Sequence, residues 1–414
     1  MASTDYILRD MVPRHTRKSE DRADALIIGA GPAGTAAAIM LARAGCDVLI
    51  ADRCLFPRDK TCGDALVPDA LRALDSLGLK PQVLRRARML GGLRVYSPDG
   101  LSVDVDGECA CIPRLVFDDI LRCEAAAAGV RFTALAEAVA PLVEDGIVVG
   151  AQLKVRTEAR RVRAGATLLA TGAASGPLKR FGVCERSTPS GTAARLCVTT
   201  DDAFAASFDY LCISYDEAIC PGYGWLFPAP DASFNVGIAY FYDAKTLPAE
   251  RNLRKLLARF LQTFPAAAAL MDHAIRVTEL KGAPLRTAMN GSTLSRPGLL
   301  VIGEAAGLTY SLSGEGIGKA LESGLMAAAA ILDGGGPKPI SERYARQIRS
   351  TFGPRFRAYK TAQDCLARPW FANLLARRAR RSQFVRRELS GLLQETTDPR
   401  RLFSAAGMLR SFIS

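Results

Sequence analysis

The chain has 414 residues, 49% apolar and 23% charged, enough for a large core in two or three domains and too apolar for a disordered protein. Eleven scattered cysteines without a C-x-x-C pair, and only two histidines (His15 and His273), indicate neither a zinc site nor a secreted disulfide framework. The net charge of +12 is gathered at one end, where residues 341–414 hold 16 Lys or Arg against 5 Asp or Glu; no nucleic-acid-binding module accompanies it, which argues against DNA or RNA as a partner.

Residues 1–22 are polar and charged without a usable period and are expected to form a flexible leader. No stretch is apolar for long enough to span a membrane, and the start lacks a signal-peptide segment. The expectation is a cytoplasmic protein that can still touch a membrane surface. The stretch 25–53 is the centre of the chain. An apolar run, Ala25 to Ile28, reads as a buried parallel strand, followed at once by Gly29, Gly31 and Gly34 at G-x-G-x-x-G spacing. A helical stretch, Thr35 to Ala44, and a second apolar strand, Val48 to Ala51, complete the unit. Gly29 allows the tight turn, Gly31 admits a pyrophosphate to the backbone, and Gly34 lets helix and strand pack closely. The helix N-terminus offers free N–H groups to phosphates. Asp52, with Arg53 beside it, stands where a ribose would be bound. Strand, glycines, helix, second strand and acid together indicate a dinucleotide site.

Beyond Asp52, Pro57, Asp59, Gly63 and Pro68 mark a loop, and Asp69 to Leu77 has Leu71, Leu74 and Leu77 at helical spacing. Residues 91–112 alternate like strands, and 113–129 read as a turn and a helix ended by Gly129. Ala138–Glu144, Ile147–Val155 and Arg160–Arg163 read as successive strands forming a crossover, after which Thr167–Ala170 returns to the parallel sheet. Residues 190–285 are rich in strands and aromatics and suit a substrate domain. At 299–332 a strand enters a glycine-rich turn, and a second turn leads into a long helix.

Three blocks carry a resemblance to a known family: Lys60 to Asp64 (KTCGD); Tyr223, Trp225, Phe227 and Pro228 with Gly237 downstream; and Gly303–Gly307 (GEAAG) through Ser313–Ile317 (SGEGI). Together they resemble the geranylgeranyl reductase family, flavoproteins of the hydroxylase-type FAD fold, over about residues 23–335. The resemblance implies an α/β protein. Its Rossmann-like FAD-binding domain would be discontinuous over 23–90, 111–185 and 286–335, its β-rich substrate domain would use 91–110 and 186–285, and a basic helical C-terminal segment would span 336–414. It implies FAD held by Gly29, Gly31, Gly34, Asp52, Arg53, Arg114, Gly303, Glu304, Gly314, Gly316 and Ile317, with no metal. NAD(P)H is a possible electron donor, docking without a second fingerprint of its own. The chain departs from the family pattern in several places. Glu304 stands for the usual aspartate, Ser311 for a proline, Ser313 for a threonine, Ala239 for a glycine, and Thr171-Gly172 for Asp-Gly.

Cys62, Tyr223 and Trp225 are the candidate catalytic residues. By the resemblance Cys62 lies beside the flavin, where it would donate a proton or touch substrate; the plain alternative is one more buried thiol. Tyr223, Trp225 and Phe227 alternate on a strand and so face one side, either lining an apolar tunnel or forming a core stripe. Trp370, Phe371, Leu374 and Leu375, followed by Arg377, Arg378, Arg380 and Arg381, make a basic amphipathic helix for a lipid surface or for packing on the body. The leading reading is reduction of C=C bonds in a prenyl chain or similar apolar substrate by hydride from reduced flavin. Its rivals are a flavin monooxygenase of an apolar metabolite, a flavin halogenase, for which the W-x-W-x-I-P signature is missing, and a non-enzymatic flavoprotein at the membrane surface. Against the monooxygenase stand Gly307, where those relatives usually carry His, and Glu315, where they carry Gln.

Overall fold

Ala25 to Ile28 are at most 4% exposed, as a strand covered on both faces requires. The computed structural model describes residues 21–184, 188–242, 252–289 and 291–413; the expected leader thus lies outside the described residues except for its last two. The strand Asp21–Ile28 pairs in parallel with Val48–Ala51 on one side and with Glu158–Leu169 on the other. Leu299–Val301 and Arg131–Thr133 extend the parallel sheet at either end. Glu158–Leu169 merges two expected strands into one of 12 residues. Its first half pairs antiparallel with Ile147–Val155 while its second half joins the parallel sheet, so no break in the chain is needed between the two partners.

Two helices lie against this sheet and against each other. The first, Pro32–Arg43, starts at the glycine turn; the second is Ile317–Leu332. They approach so closely that a Cβ at Gly324 would fall 2.2 Å from the Ala33 carbonyl oxygen.

A second sheet runs in the order Arg276–Val277, Gly191–Thr199, Ser233–Phe241, Tyr223–Ala229, Leu211–Ser214, Arg88–Tyr96, Ser102–Cys111, Ala65–Leu66, with Lys281–Leu285 also on Gly191–Thr199. One face packs Leu226, Phe234 and Val236 on Leu257 and Phe260 of the helix Leu253–Thr263. The other carries Tyr223, Trp225 and Phe227 on one side, as period two demands. Register sets Gly237 opposite Trp225, and a Cβ there would lie 2.4 Å from the indole. The glycine is the space into which the tryptophan fits.

That second face is roofed by the C-terminal helices Pro337–Leu366, Pro369–Ala379 and Gln383–Leu393, which bury Phe371, Leu375, Leu393 and, beyond them, Phe403. Of the two readings of the basic amphipathic stretch, packing on the body accounts for Phe371 and Leu375. Among the described residues no helix is long and apolar enough to cross a membrane.

Candidate active site

The glycine fingerprint divides into two tight positions and one open one. Gly29 has φ +110°, and its Cβ would come 2.4 Å from the Ala170 carbonyl oxygen; a Cβ at Gly34 would lie 2.0 Å from the Gly29 carbonyl oxygen. At Gly31 the nearest atom to such a Cβ is a guanidinium nitrogen of Arg58, 3.8 Å away. The helix that begins at Pro32 has no side-chain cap and no acid in its first turn, so its leading N–H groups remain available to an anion. Asp52, at the end of the second strand, accepts the Ala30 N–H at 2.7 Å and the Cys54 N–H at 2.8 Å, one on each oxygen. Lone pairs remain on both for a sugar hydroxyl. Arg53 is exposed.

Arg58 was not singled out by the sequence. It is held 3.1 Å from Asp118, which also receives both prongs of Arg114 at 2.6 and 2.7 Å. Burial works against the Arg114 charge, but the Asp118 carboxylate outweighs it and holds the pKa above the ordinary value. One carboxylate thus orders two guanidiniums, one of them beside the open glycine.

Across the cleft, the Gly303–Ala306 turn carries Glu304, which pairs with Lys60 at 3.4 Å and accepts the Arg286 N–H at 3.4 Å. The carboxylate lies 3.8 Å from where a Cβ on Gly172 would be, so the Thr171-Gly172 departure borders the Glu304 departure. Thr171 Oγ1 there is buried without a partner among the described residues.

The KTCGD loop is tied to the aromatic strand by one asparagine. Asn235 accepts the Trp225 indole N–H at 2.9 Å and donates to the Cys62 carbonyl at 2.8 Å and to Asp64 Oδ2 at 2.7 Å. Burial pushes the Asp64 carboxyl up to about 6, against the pull of the Asn235 hydrogen bond and the nearby Arg195 and Arg114. Cys62 is half-buried and its side chain meets Arg114. The Tyr223 hydroxyl donates to the Ser313 carbonyl at 2.5 Å and lies 2.3 Å from where a Cβ on Gly314 would be. Gly314 has φ +68°, and Gly316 caps the helix starting at Ile317. Cys62, Tyr223 and Trp225 are therefore gathered in one place, but the two aromatics spend their polar atoms on tethers.

Between the second sheet and the C-terminal helices lies a cavity of about 130 Å³. Its walls are Leu93, Val95 and Ile213 from the sheet and Leu375, Ala376 and Leu393 from the helices, with Ser313 and Glu315 on the glycine turn. Tyr223 and Trp225 are not among its lining residues.

A family model described as an FAD binding domain matches residues 22–331. This chain belongs to that family. Two reductases are its relatives along most of the chain. The menaquinone reductase of Mycobacterium tuberculosis H37Rv is 35% identical over 346 residues, 79% of this chain and 82% of the relative. Digeranylgeranylglycerophospholipid reductase 2 of Methanosphaera stadtmanae is 30% identical over 370 residues, 83% and 87% of the two chains. Among solved structures, a geranylgeranyl bacteriochlorophyll reductase-like protein from Thermoplasma acidophilum superimposes with a TM-score of 0.73 over 96% of this chain and 97% of its own, at 22% identity. The flavin-dependent brominase Bmp2 gives 0.74 over 95% and 98%, at 21% identity. Likeness at that identity bears on the fold, which reductases and halogenases share.

The protein is accordingly a geranylgeranyl reductase-like, FAD-dependent oxidoreductase. The cleft suits FAD by its own geometry. The open Gly31 with Arg58 and the uncapped helix end fit a pyrophosphate, Asp52 a ribose, and Glu304 with Lys60 the polar chain between phosphate and ring. The carboxylates of Asp69, Glu322 and Glu395 converge within 4.8 Å, but Lys319 is bonded to two of them at 2.6 Å and supplies the positive charge a metal would bring.

Proposed function

We propose that this FAD enzyme reduces C=C bonds in the isoprenoid chain of a lipid. The observation that carries the reading is the apolar cavity of about 130 Å³, walled by leucines, valines and alanines and reaching the glycine turn at Ser313 and Glu315. Its apolar lining suits a hydrocarbon chain rather than a polar substrate. The menaquinone and digeranylgeranylglycerophospholipid named for the relatives share such chains, which supports the same substrate class here. FAD, once bound and reduced by two electrons, would supply the hydride. The chain's own residues orient and enclose: Asp52 and Arg58 anchor the cofactor's far end, and Tyr223 fixes the turn that carries Glu315. The Trp225–Asn235–Asp64 tether holds the Cys62 loop against the aromatic strand. The electron donor in this reading is NAD(P)H, docking transiently on the FAD domain. Peripheral contact with an anionic membrane through the basic C-terminal helices delivers the lipid.

The holoenzyme, chemically reduced and mixed with geranylgeranyl diphosphate without oxygen, is expected to become oxidised while the lipid gains two hydrogens per double bond reduced. A flavin that stays reduced until oxygen is admitted, with oxygen then appearing in an apolar acceptor, would replace the reductase by a monooxygenase.

A further inference from the structure

Glu315 is the one carboxyl among the residues lining the apolar cavity. It sits between Gly314 and Gly316, in the turn that Tyr223 pins through the Ser313 carbonyl. We propose that Glu315 is the proton donor of the reduction, delivering its carboxyl proton to the substrate carbon next to the one that receives hydride. The inference rests on the alkene reductase reading and adds to it a specific acid. In the step, the π bond of the alkene is lost and two C–H bonds form, one from hydride and one from the Glu315 O–H. The reduced flavin is oxidised by two electrons, and the Glu315 carboxylate is reprotonated from water.

The surroundings keep Glu315 neutral. Burial is the largest influence, and the Asp69 and Glu395 carboxylates add to it; Lys319 and the nearby Ser313 hydroxyl pull the other way without prevailing, and the carboxyl is pushed up to about 8. Lys319 is fully buried and already shared at 2.6 Å between Asp69 and Glu395, so its charge is mostly spent. The other titratable groups that feel Glu315 are Cys109 and Tyr223 from the second sheet, Tyr215 just past its strand Leu211–Ser214, Tyr310 on its own turn, and Tyr359 from the long C-terminal helix. None of them brings a positive charge. The neighbouring carboxylates reach the surface beside Arg355, 41% exposed, which lies 3.2 Å from Glu395 and 4.0 Å from Glu322. Cys62, the other candidate acid, is not among the residues lining the cavity.

Glu315→Gln keeps the shape and removes the proton, and Glu315→Asp keeps an acid should the amide disturb the fold; FAD content checks both. Chemically reduced wild type with geranylgeranyl diphosphate is expected to oxidise its flavin at a rate that falls as pH rises through about 8. Glu315→Gln should lose at least about a hundredfold in that rate, with the pH step gone and flavin reduction by dithionite unchanged. Independently of turnover, the infrared spectrum of the apoprotein at neutral pH should show a protonated buried carboxyl that vanishes in Glu315→Gln. A Gln variant with the wild-type rate and pH step, or an apoprotein without that carboxyl band, would overturn the donor role alone. So would loss of turnover in Cys62→Ala with Glu315→Gln unaffected. A wild type that reduces no polyprenyl chain would overturn the reductase reading, and the donor role with it.

Discussion

Gly31 and Gly34 stand three residues apart, yet replacing them should fail for different reasons. A methyl at Gly34 would lie 2.0 Å from the Gly29 carbonyl oxygen and 3.1 Å from Ile27, so the helix or the strand must shift. Gly34→Ala is expected to cost the apoprotein about 2 kcal/mol or more in urea unfolding. At Gly31 φ is −80°, which any residue adopts, and the methyl would meet nothing nearer than 3.8 Å. Gly31→Ala should therefore leave apoprotein stability within about 0.5 kcal/mol of wild type while weakening FAD binding, because the methyl enters the space before Arg58 that the pyrophosphate needs. Normal FAD affinity in Gly31→Ala would remove that cradle from the assignment. The spacing of the glycines made this pair legible in the sequence. Arg58 was not legible, since it is ordered by Asp118, far along the chain, and an arginine in a loop has no signature of its own.

The strand Tyr223–Ala229 and the helix Pro369–Ala379 show what a periodic pattern tells and what it omits. Alternation put Tyr223, Trp225 and Phe227 on one face, and that is where they lie. It did not say what covers the face. The cover comes from Phe371, Leu375 and Leu393, about 145 to 170 residues later, on helices whose own pattern does not say which surface they meet. The cavity is thus a product of two elements, neither of which encodes it alone. Ala376 lines it from the helix, and a larger side chain there should fill the tunnel rather than displace the core. Ala376→Phe is expected to keep its FAD and its thermal stability and to lose roughly tenfold or more in kcat/KM for a geranylgeranyl lipid, while a geranyl analogue is still reduced. Equal losses on both chain lengths would mean that the chain does not occupy this cavity.

At the scale of the molecule, the parallel sheet and cofactor cleft could be read from local runs, because a βαβ unit with its fingerprint lies within thirty residues. The second sheet, with its long-range pairings, and the roof over the cavity could not. The same roof carries most of the molecule's net charge, with 16 basic and 5 acidic residues over 341–414. The C-terminal segment exposes Trp370 (61%), Leu409 (64%) and Phe412 (57%), together with Arg380, Arg381 and Arg387, and Arg378 lies 4.4 Å from the centre of the Phe412 ring. Large apolar side chains set among arginines match the boundary of an anionic bilayer, where rings enter the acyl layer and guanidiniums meet the headgroups. A lipid substrate leaving such a bilayer would reach the cavity through the elements that form its roof. The protein is therefore expected to co-sediment with phosphatidylglycerol vesicles more than with phosphatidylcholine vesicles, and less at high salt, because the arginine contribution is screened. Burying each ring contributes about 1.5–3 kcal/mol. The double substitution Trp370→Ser with Phe412→Ser should accordingly weaken vesicle binding at least about tenfold, and turnover of detergent-dispersed substrate should be retained because neither side chain lines the cavity. Binding indifferent to lipid charge, salt and both substitutions would sink the membrane contact and leave the basic helices with a purely structural role.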